Sequence, residues 1–437
     1  MQNQYFGQNN LEPSNDLKHS NNQNENNESD KSTKYYVIGL VTGIAVALSV
    51  VLLGFSGVKF YQNRIKPYKE LEQSAESTKP ESVVNDSAER KLAVLEKTIQ
   101  KYFWQEVDEE SLEDGLYKGL LEALDDPYSE YYTREELLEL QADTEGIYYG
   151  IGAYISEDVE AGYVQISGIM KGSPAEESDL MQDDYIYKVN GEDMQGKESS
   201  YVVSKIKGEE GTFVTITVIR EGAAQPIDIK VERRRIESPT VEYEMLDNDM
   251  AYIQIVEFDL VTSGQFETAY SQAKEDGMKG LIIDLRSNPG GNLSTVCDIA
   301  RMILPKGLIV YTEDKYGKRE EYTCNGANKI EVPLVVLTNG YSASASEILA
   351  GAVKDYGIGK LVGTTTFGKG IVQKVIDLTD GSAIKLTVSS YFTPSGKNIH
   401  GIGIEPDVEV EFDADLYQQD IDNQLEKAKE VLDDMME

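Results

Sequence analysis

The spacing of apolar positions along the chain changes twice, and each change marks a different kind of element. From Val83 to Leu140 apolar residues recur at three and four. Leu92, Leu95, Ile99 and Phe103 predict one face of a helix, and Leu116, Leu120 and Leu124 predict a second helix after the acidic start Asp108-Glu-Glu-Ser-Leu. Asp125-Asp-Pro-Tyr-Ser breaks the pattern, and Thr133-Arg-Glu-Glu opens a third helix with a capping box from Thr133 to Glu136. Over 146–235 the period falls to two, as in Tyr163-Val-Gln-Ile-Ser and Val214-Thr-Ile-Thr-Val, which predict short strands. Between them Gly172-Ser-Pro-Ala-Glu-Glu-Ser predicts a short helix with Pro174 in its first turn, and Asn190-Gly191 a tight turn.

From Ile236 the rhythm changes again. Continuous apolar runs, Ala251-Tyr-Ile-Gln-Ile, Gly280-Leu-Ile-Ile-Asp and Pro333-Leu-Val-Val-Leu, alternate with helical stretches, the signature of an α/β core with buried strands. The tail from Ile421 carries Leu425, Ala428, Leu432 and Met435 as a heptad-like stripe. It reads equally as a helix docked on the core or as a homodimer contact.

The N-terminal part is of another kind. Residues 1–34 are rich in Asn, Ser, Glu and Asp, a disordered composition. Val37 to Val58 holds no charge, and at about 1.5 Å per residue it spans a bilayer core of roughly 30 Å. A cleaved signal peptide is the rival reading, but the leader before the run is long, which favours an uncleaved anchor. Lys31 and Lys34 precede the run and Lys59, Arg64, Lys66 and Lys69 follow it, which leaves the orientation open. A polar stalk follows. The domain organisation is thus a tail 1–34, a transmembrane anchor 35–60, a stalk 61–82, a helical region 83–145, a strand-rich domain 146–235, an α/β core 236–411 and a C-terminal helix 412–437.

Composition narrows the function. A net charge of −36 repels phosphate and excludes nucleic acid as a partner. The 2 cysteines, Cys297 and Cys324, make neither a disulfide framework nor a zinc site, and Cys297 reads as a buried small hydrophobe. No metal or organic cofactor is implied. There are 2 histidines: His19 in the tail and His400 in a loop. A serine nucleophile in this chain would therefore use another base.

Two segments supply that chemistry. Pro333-Leu-Val-Val-Leu-Thr-Asn-Gly is a buried strand running into a turn, and Ser342 to Asp355 reads as a helix ending at Gly357. A serine there would sit beside free N–H groups and the positive end of the helix dipole. Small residues for close packing, with serines as caps, account for the same letters. The second segment, Phe367-Gly-Lys-Gly-Ile-Val-Gln373, places Lys369 between glycines. Only a neutral lysine takes a proton from serine, so the chemistry requires Lys369 to be desolvated.

Over roughly 83–410 these residues resemble the carboxy-terminal processing peptidases, or tail-specific proteases, bacterial serine peptidases with an embedded PDZ domain. The resemblance implies a Ser–Lys dyad: Ser344 as nucleophile, Lys369 as base, and Gln373 hydrogen-bonded to the lysine. Asp284-Leu-Arg-Ser-Asn-Pro-Gly-Gly resembles the family's oxyanion turn, with the N–H of Gly290 or Gly291 joining that of Ala345. Glu347 and Asp355 match accessory acidic positions, and their alternative reading is a helix-dipole partner and a surface charge. Tyr391-Phe-Thr-Pro-Ser-Gly-Lys matches a closing motif that reads as scaffold.

Residues 146–235 are similar to a PDZ domain. Tyr149, Gly150, Ile151 and Gly152 match its carboxylate-binding loop, and the next strand would pair with a peptide by β-augmentation. Asp183 stands where the family usually has glycine, at a turn whose left-handed geometry aspartate tolerates. The implied protein is a single-pass membrane endopeptidase facing the extracytoplasmic side and acting on proteins through their C-terminal tails. The alternative is a catalytically silent PDZ scaffold that captures tails.

Overall fold

The computed structural model describes residues 83–437, so the tail, the Val37–Val58 run and the stalk lie outside the described residues. Among the described residues no helix is long and apolar enough to cross a membrane. The described residues divide into two units, one of 83–107 with 377–379, the other of 108–376 with 380–437. In the first, the helix Asp86–Tyr102 is capped by Asn85, whose Oδ1 accepts from the amides of Ser87 and Ala88. None of its residues is buried, and Leu95, Ile99 and Phe103 of the expected apolar face are exposed.

The second unit begins with the helix Glu109–Glu122. Its buried leucine is Leu121, and Leu116, Leu120 and Leu124 are more than half exposed, so the expected stripe is not the packed face. Tyr117 instead meets the ring of Tyr131 at 5.2 Å. Tyr131 belongs to Glu130–Tyr132, a strand that the helical reading of this region missed. It pairs with Ala383–Phe392 far along the chain, a partner no local pattern announces. The helix Arg134–Glu145 has the predicted capping box between Thr133 and Glu136, and it ends at Gly146 with φ 65°.

A five-strand ladder forms the strand-rich region in the order Ala153–Asp158, Tyr163–Ile169, Tyr185–Val189, Phe213–Ile219, Ile227–Glu232, all antiparallel. Its core is aliphatic, with Val164, Ile166, Ile186, Val214, Ile216 and Val218 fully buried at alternate positions. Asn190 and Gly191, at φ 51° and 85°, make the predicted tight turn. Asp183 takes φ 70°, the left-handed geometry expected of it. Residues 171–179 form a run of turns rather than a helix, with a single i to i+4 bond, from Glu177 N to Ser173 O. Nearby, the fully buried Asp184 accepts the amide of Met181 and the Nε and Nη2 edge of the Arg220 guanidinium, which also reaches Asp179 O.

The α/β core is a six-stranded sheet in the order Val241–Leu246, Met250–Ile255, Gly280–Asp284, Leu334–Thr338, Lys360–Gly363, Val408–Glu409. The first pair is antiparallel and the rest are parallel. Gly280–Asp284 and Leu334–Thr338 are buried throughout, as their continuous apolar runs require. The helix Asn423–Met436 buries Ala428 and Leu432 against Met250, Ile282, Val335 and Val362. The tail stripe is thus spent on the core and is not left for a dimer. Cys297 and Cys324 are both free and buried, and burial pushes the Cys297 thiol up to about 12.

Candidate active site

The strand Leu334–Thr338 ends in a turn before the helix Ala345–Tyr356, which begins later than expected and closes at Gly357 in the left-handed region. The three serines of this turn have different fates. Ser342 donates to Leu285 O at 2.7 Å and accepts Asn339 N, and Ser346 donates to Asn288 O at 3.0 Å, both buried. Among the described residues the Ser344 hydroxyl donates to no acceptor, and Ser344 lines a cleft of about 630 Å³. Ser344 has φ 53° and ψ −112°, a strained conformation that persists only where its surroundings enforce it.

The enforcing group is Glu347. Its fully buried carboxylate accepts Ser344 N at 2.9 Å and Lys369 N at 2.8 Å on one oxygen, and Thr366 Oγ1 at 2.6 Å and Gly368 N at 2.7 Å on the other. It therefore ties the serine turn to the lysine turn through their backbones. The sequence marked it only as an accessory position; its partners are brought together by folding. Asp355 is not part of this arrangement. Its carboxylate accepts Ser395 N at 2.8 Å and anchors the turn after Phe392.

Opposite Ser344 lies the double-glycine turn. Gly290 N is taken by Asn288 Oδ1 at 2.8 Å, whereas Gly291 N and Ala345 N have no acceptor among the described residues, and both residues line the cleft. Of the two glycines the free donor is thus Gly291. Neither tolerates a side chain. At Gly290, φ 108°, a β-carbon would lie 2.8 Å from Ser344 Cβ, and at Gly291, φ 134°, 2.5 Å from Phe258 O. Asn288, which sequence reasoning passed over, is fully buried and pins this turn through Ile255 O and Gly290 N. Tyr391 was read as scaffold; its hydroxyl donates to Ser344 O at 3.1 Å from a fully buried ring that also lines the cleft.

Lys369 is half-buried, and its ammonium lies 4.3 Å from the centre of the Tyr128 ring. Among the described residues it makes no hydrogen bond or ion pair, so nothing joins it to Ser344. Desolvation, then the nearby Lys385 charge, lowers its pKa, against the pull of Asp126 and Glu130. The expected bond from Gln373 is not formed. Gln373 sits on the strand Ile371–Asp377 beside Ala383–Phe392, and its Nε2 donates to Thr387 Oγ1 at 3.2 Å.

In the strand-rich domain, Ile147–Gly150 pairs with Arg234–Glu237, and Tyr149 O accepts Gly208 N. The amides of Ile151 and Gly152 have no acceptor among the described residues, while their carbonyls are held by Ala175 N and Met170 N. Gly152, at φ 76°, packs against Ser173, where a β-carbon would lie 2.3 Å from Ser173 Cβ. The strand that follows, Ala153–Asp158, is the edge of its sheet.

Comparison with known proteins agrees with this architecture. The model for Peptidase family S41 matches residues 249–410, that for the PDZ domain 139–219, and that for the Activating protease CtpB N-terminal domain 48–136. The chain is 35% identical over 383 residues to the "Carboxy-terminal processing protease CtpA" of Bacillus subtilis, covering 87% of this chain and 78% of that protein. It is 33% identical over 381 residues to a "Probable CtpA-like serine protease" of Staphylococcus saprophyticus, covering 86% and 73%. Among solved structures, the photosystem II D1 C-terminal processing protease aligns at 30% identity and a TM-score of 0.43, over 73% of this chain and 86% of that one. The Peptidase family S41 match and the two sequence relatives define a serine-type peptidase, and the chain belongs to the carboxy-terminal processing peptidase family.

Proposed function

We propose that the protein is an endopeptidase that cleaves proteins recognised through their C-terminal tails, with Ser344 as nucleophile and Lys369 as base. The observation that carries this reading is that Ser344 alone of the three serines donates its hydroxyl to no acceptor, in the cleft beside the free amides of Gly291 and Ala345. Ser344 Oγ attacks the scissile carbonyl, its proton passes to the neutral Lys369 amine, and the oxyanion forms against the two amides. Lys369 then returns the proton to the leaving amine. The lowered Lys369 pKa supports the base role. Its ammonium must leave the Tyr128 ring to reach Ser344. Catalytic hydrogen bonds are often unformed before substrate binds.

The free Ile151 and Gly152 amides support a site for a terminal carboxylate, with the Ala153–Asp158 edge pairing with the peptide. The charge-free Val37–Val58 run supports a membrane anchor, and we place the peptidase on the extracytoplasmic side. The test is digestion of an unstructured protein by the purified chain. Cleavage should be abolished by Ser344→Ala and by Lys369→Ala. Undiminished cleavage by Lys369→Ala would sink the dyad.

A further inference from the structure

The cleft that holds Ser344 has one acidic wall that the reaction does not use. Asp143, Glu257 and Asp259 all line it. Asp259 is the unusual member, because it is only 7% exposed and yet its carboxylate has no hydrogen bond or ion pair among the described residues. It packs against the Cα of Gly146, where a β-carbon would lie 2.9 Å from Oδ2 and where no donor is available. Its oxygens keep access to the cleft, where an entering donor can pair them. The cation that shares the cleft, Lys385, is already paired with Glu130 at 2.6 Å and with the Tyr132 hydroxyl. The three carboxylates do not form a metal-ligand cluster; none exists among the described residues.

The position of Asp259 relates it to the scissile bond. Phe258, its neighbour, donates from N to Gly290 O at 2.8 Å and accepts Asn292 N at 2.7 Å, so the acid follows directly on the segment bonded to the oxyanion turn. We propose that Asp259, flanked by Glu257 and Asp143, forms a subsite that takes a basic side chain, lysine or arginine, of the substrate close to the scissile bond. This rests on Ser344 being the nucleophile in the same cleft. A guanidinium or ammonium there supplies the donors that Asp259 lacks and offsets the mutual repulsion of the three acids. Burial, with Glu257 and Asp143 nearby, raises the Asp259 carboxyl to about 7. The titratable groups facing it are those two acids, Lys385 and the Tyr391 hydroxyl.

The test uses quenched fluorescent peptides in pairs that differ only by lysine or norleucine, the substitution being moved through each position flanking the scissile bond. At one position the lysine peptide should be cleaved with a kcat/KM about tenfold higher. That ratio should rise between about pH 6 and 8 as Asp259 ionises. It should collapse in Asp259→Asn and fall in Glu257→Gln, an exposed position at which folding is not at stake. In the Ser344→Ala chain, fluorescence anisotropy should show tighter binding of the lysine peptide. A ratio near one at every position, in an enzyme that cleaves the norleucine peptides, overturns the subsite and leaves Ser344 standing. A preference that survives Asp259→Asn overturns it equally. If neither peptide is cleaved, the catalytic reading fails and the anisotropy comparison alone decides the subsite, equal binding rejecting it.

Discussion

The segment carrying Ser344 and the segment carrying Lys369 hang from the same buried carboxylate, that of Glu347, but they are finished to different degrees. On the serine side the reacting geometry is made of backbone. The strained Ser344, the free Ala345 amide and the Gly291 turn are held by Asn288, Glu347 and Tyr391, and they can move only if the fold does. On the lysine side the backbone is equally well fixed, while the ammonium rests on the Tyr128 ring and bonds to nothing. The difference suits the base role proposed for Lys369. A π face attracts the protonated ammonium and not the neutral amine, so loss of the proton also releases the side chain from its resting place.

That contrast can be broken or sharpened by substitution. The largest effect is expected on the serine side. Gly291→Ala places a β-carbon against Phe258 O and displaces one of the two proposed oxyanion donors, so kcat should fall about 10²–10³-fold, measured on a peptide substrate. A smaller loss would return the donor role to Gly290.

Glu347→Gln tests the shared tether. The amide keeps one acceptor oxygen, leaving buried donors on the other side unpaired at about 1–3 kcal/mol each. The melting temperature should fall, and kcat should fall with it, because both segments lose register. Loss of stability with full activity would mean that the two turns are placed independently of Glu347.

Asp259 gives a pH-dependent stability of known sign. Its carboxyl is raised to about 7 when folded, against roughly 3.9 in an unfolded chain. The folded state thus holds this proton more tightly. The stability so conferred is full below about pH 4 and is lost as pH climbs to about 7. Asp259→Asn stays neutral and should lose less stability than the parent between acid and neutral pH, as read by thermal melts at the two ends of that window.

The smallest effect belongs to the lysine side. The pH profile of kcat/KM should rise as Lys369 loses its proton, below the range of an ordinary lysine. Tyr128→Leu removes a cation–π contact of about 0.5–1 kcal/mol and should move that rise downward by about half a unit. An unmoved profile would show that the ring does not hold the charged form.

Much of this was legible in the letters. The capping box at Thr133 and Glu136, the turn at Asn190-Gly191, the buried strands Gly280–Asp284 and Leu334–Thr338, and the left-handed Asp183 all depend on neighbours a few residues away, which a sequence displays directly. The misreadings share the opposite property. The strand Glu130–Tyr132 exists because Ala383–Phe392 offers it an edge, and residues 171–179 stay in turns beside the buried Asp184–Arg220 pair. Gln373 bonds to Thr387 because their strands adjoin.

The candidate site divides in the same way. Sequence by itself determined which residue types were present to do chemistry: the serine cluster, the lone lysine between glycines, the double glycine and the scarcity of histidine. Tertiary structure alone decided which of three serines donates its hydroxyl to no acceptor, which of two glycines keeps a free amide, and that Glu347 joins the two turns. It also left Asp259 unpaired in the cleft. The physical reason is that hydrogen-bond satisfaction is settled in space. Whether a buried donor or acceptor is spent or available depends on partners dozens of residues away, and only the folded chain brings those within reach.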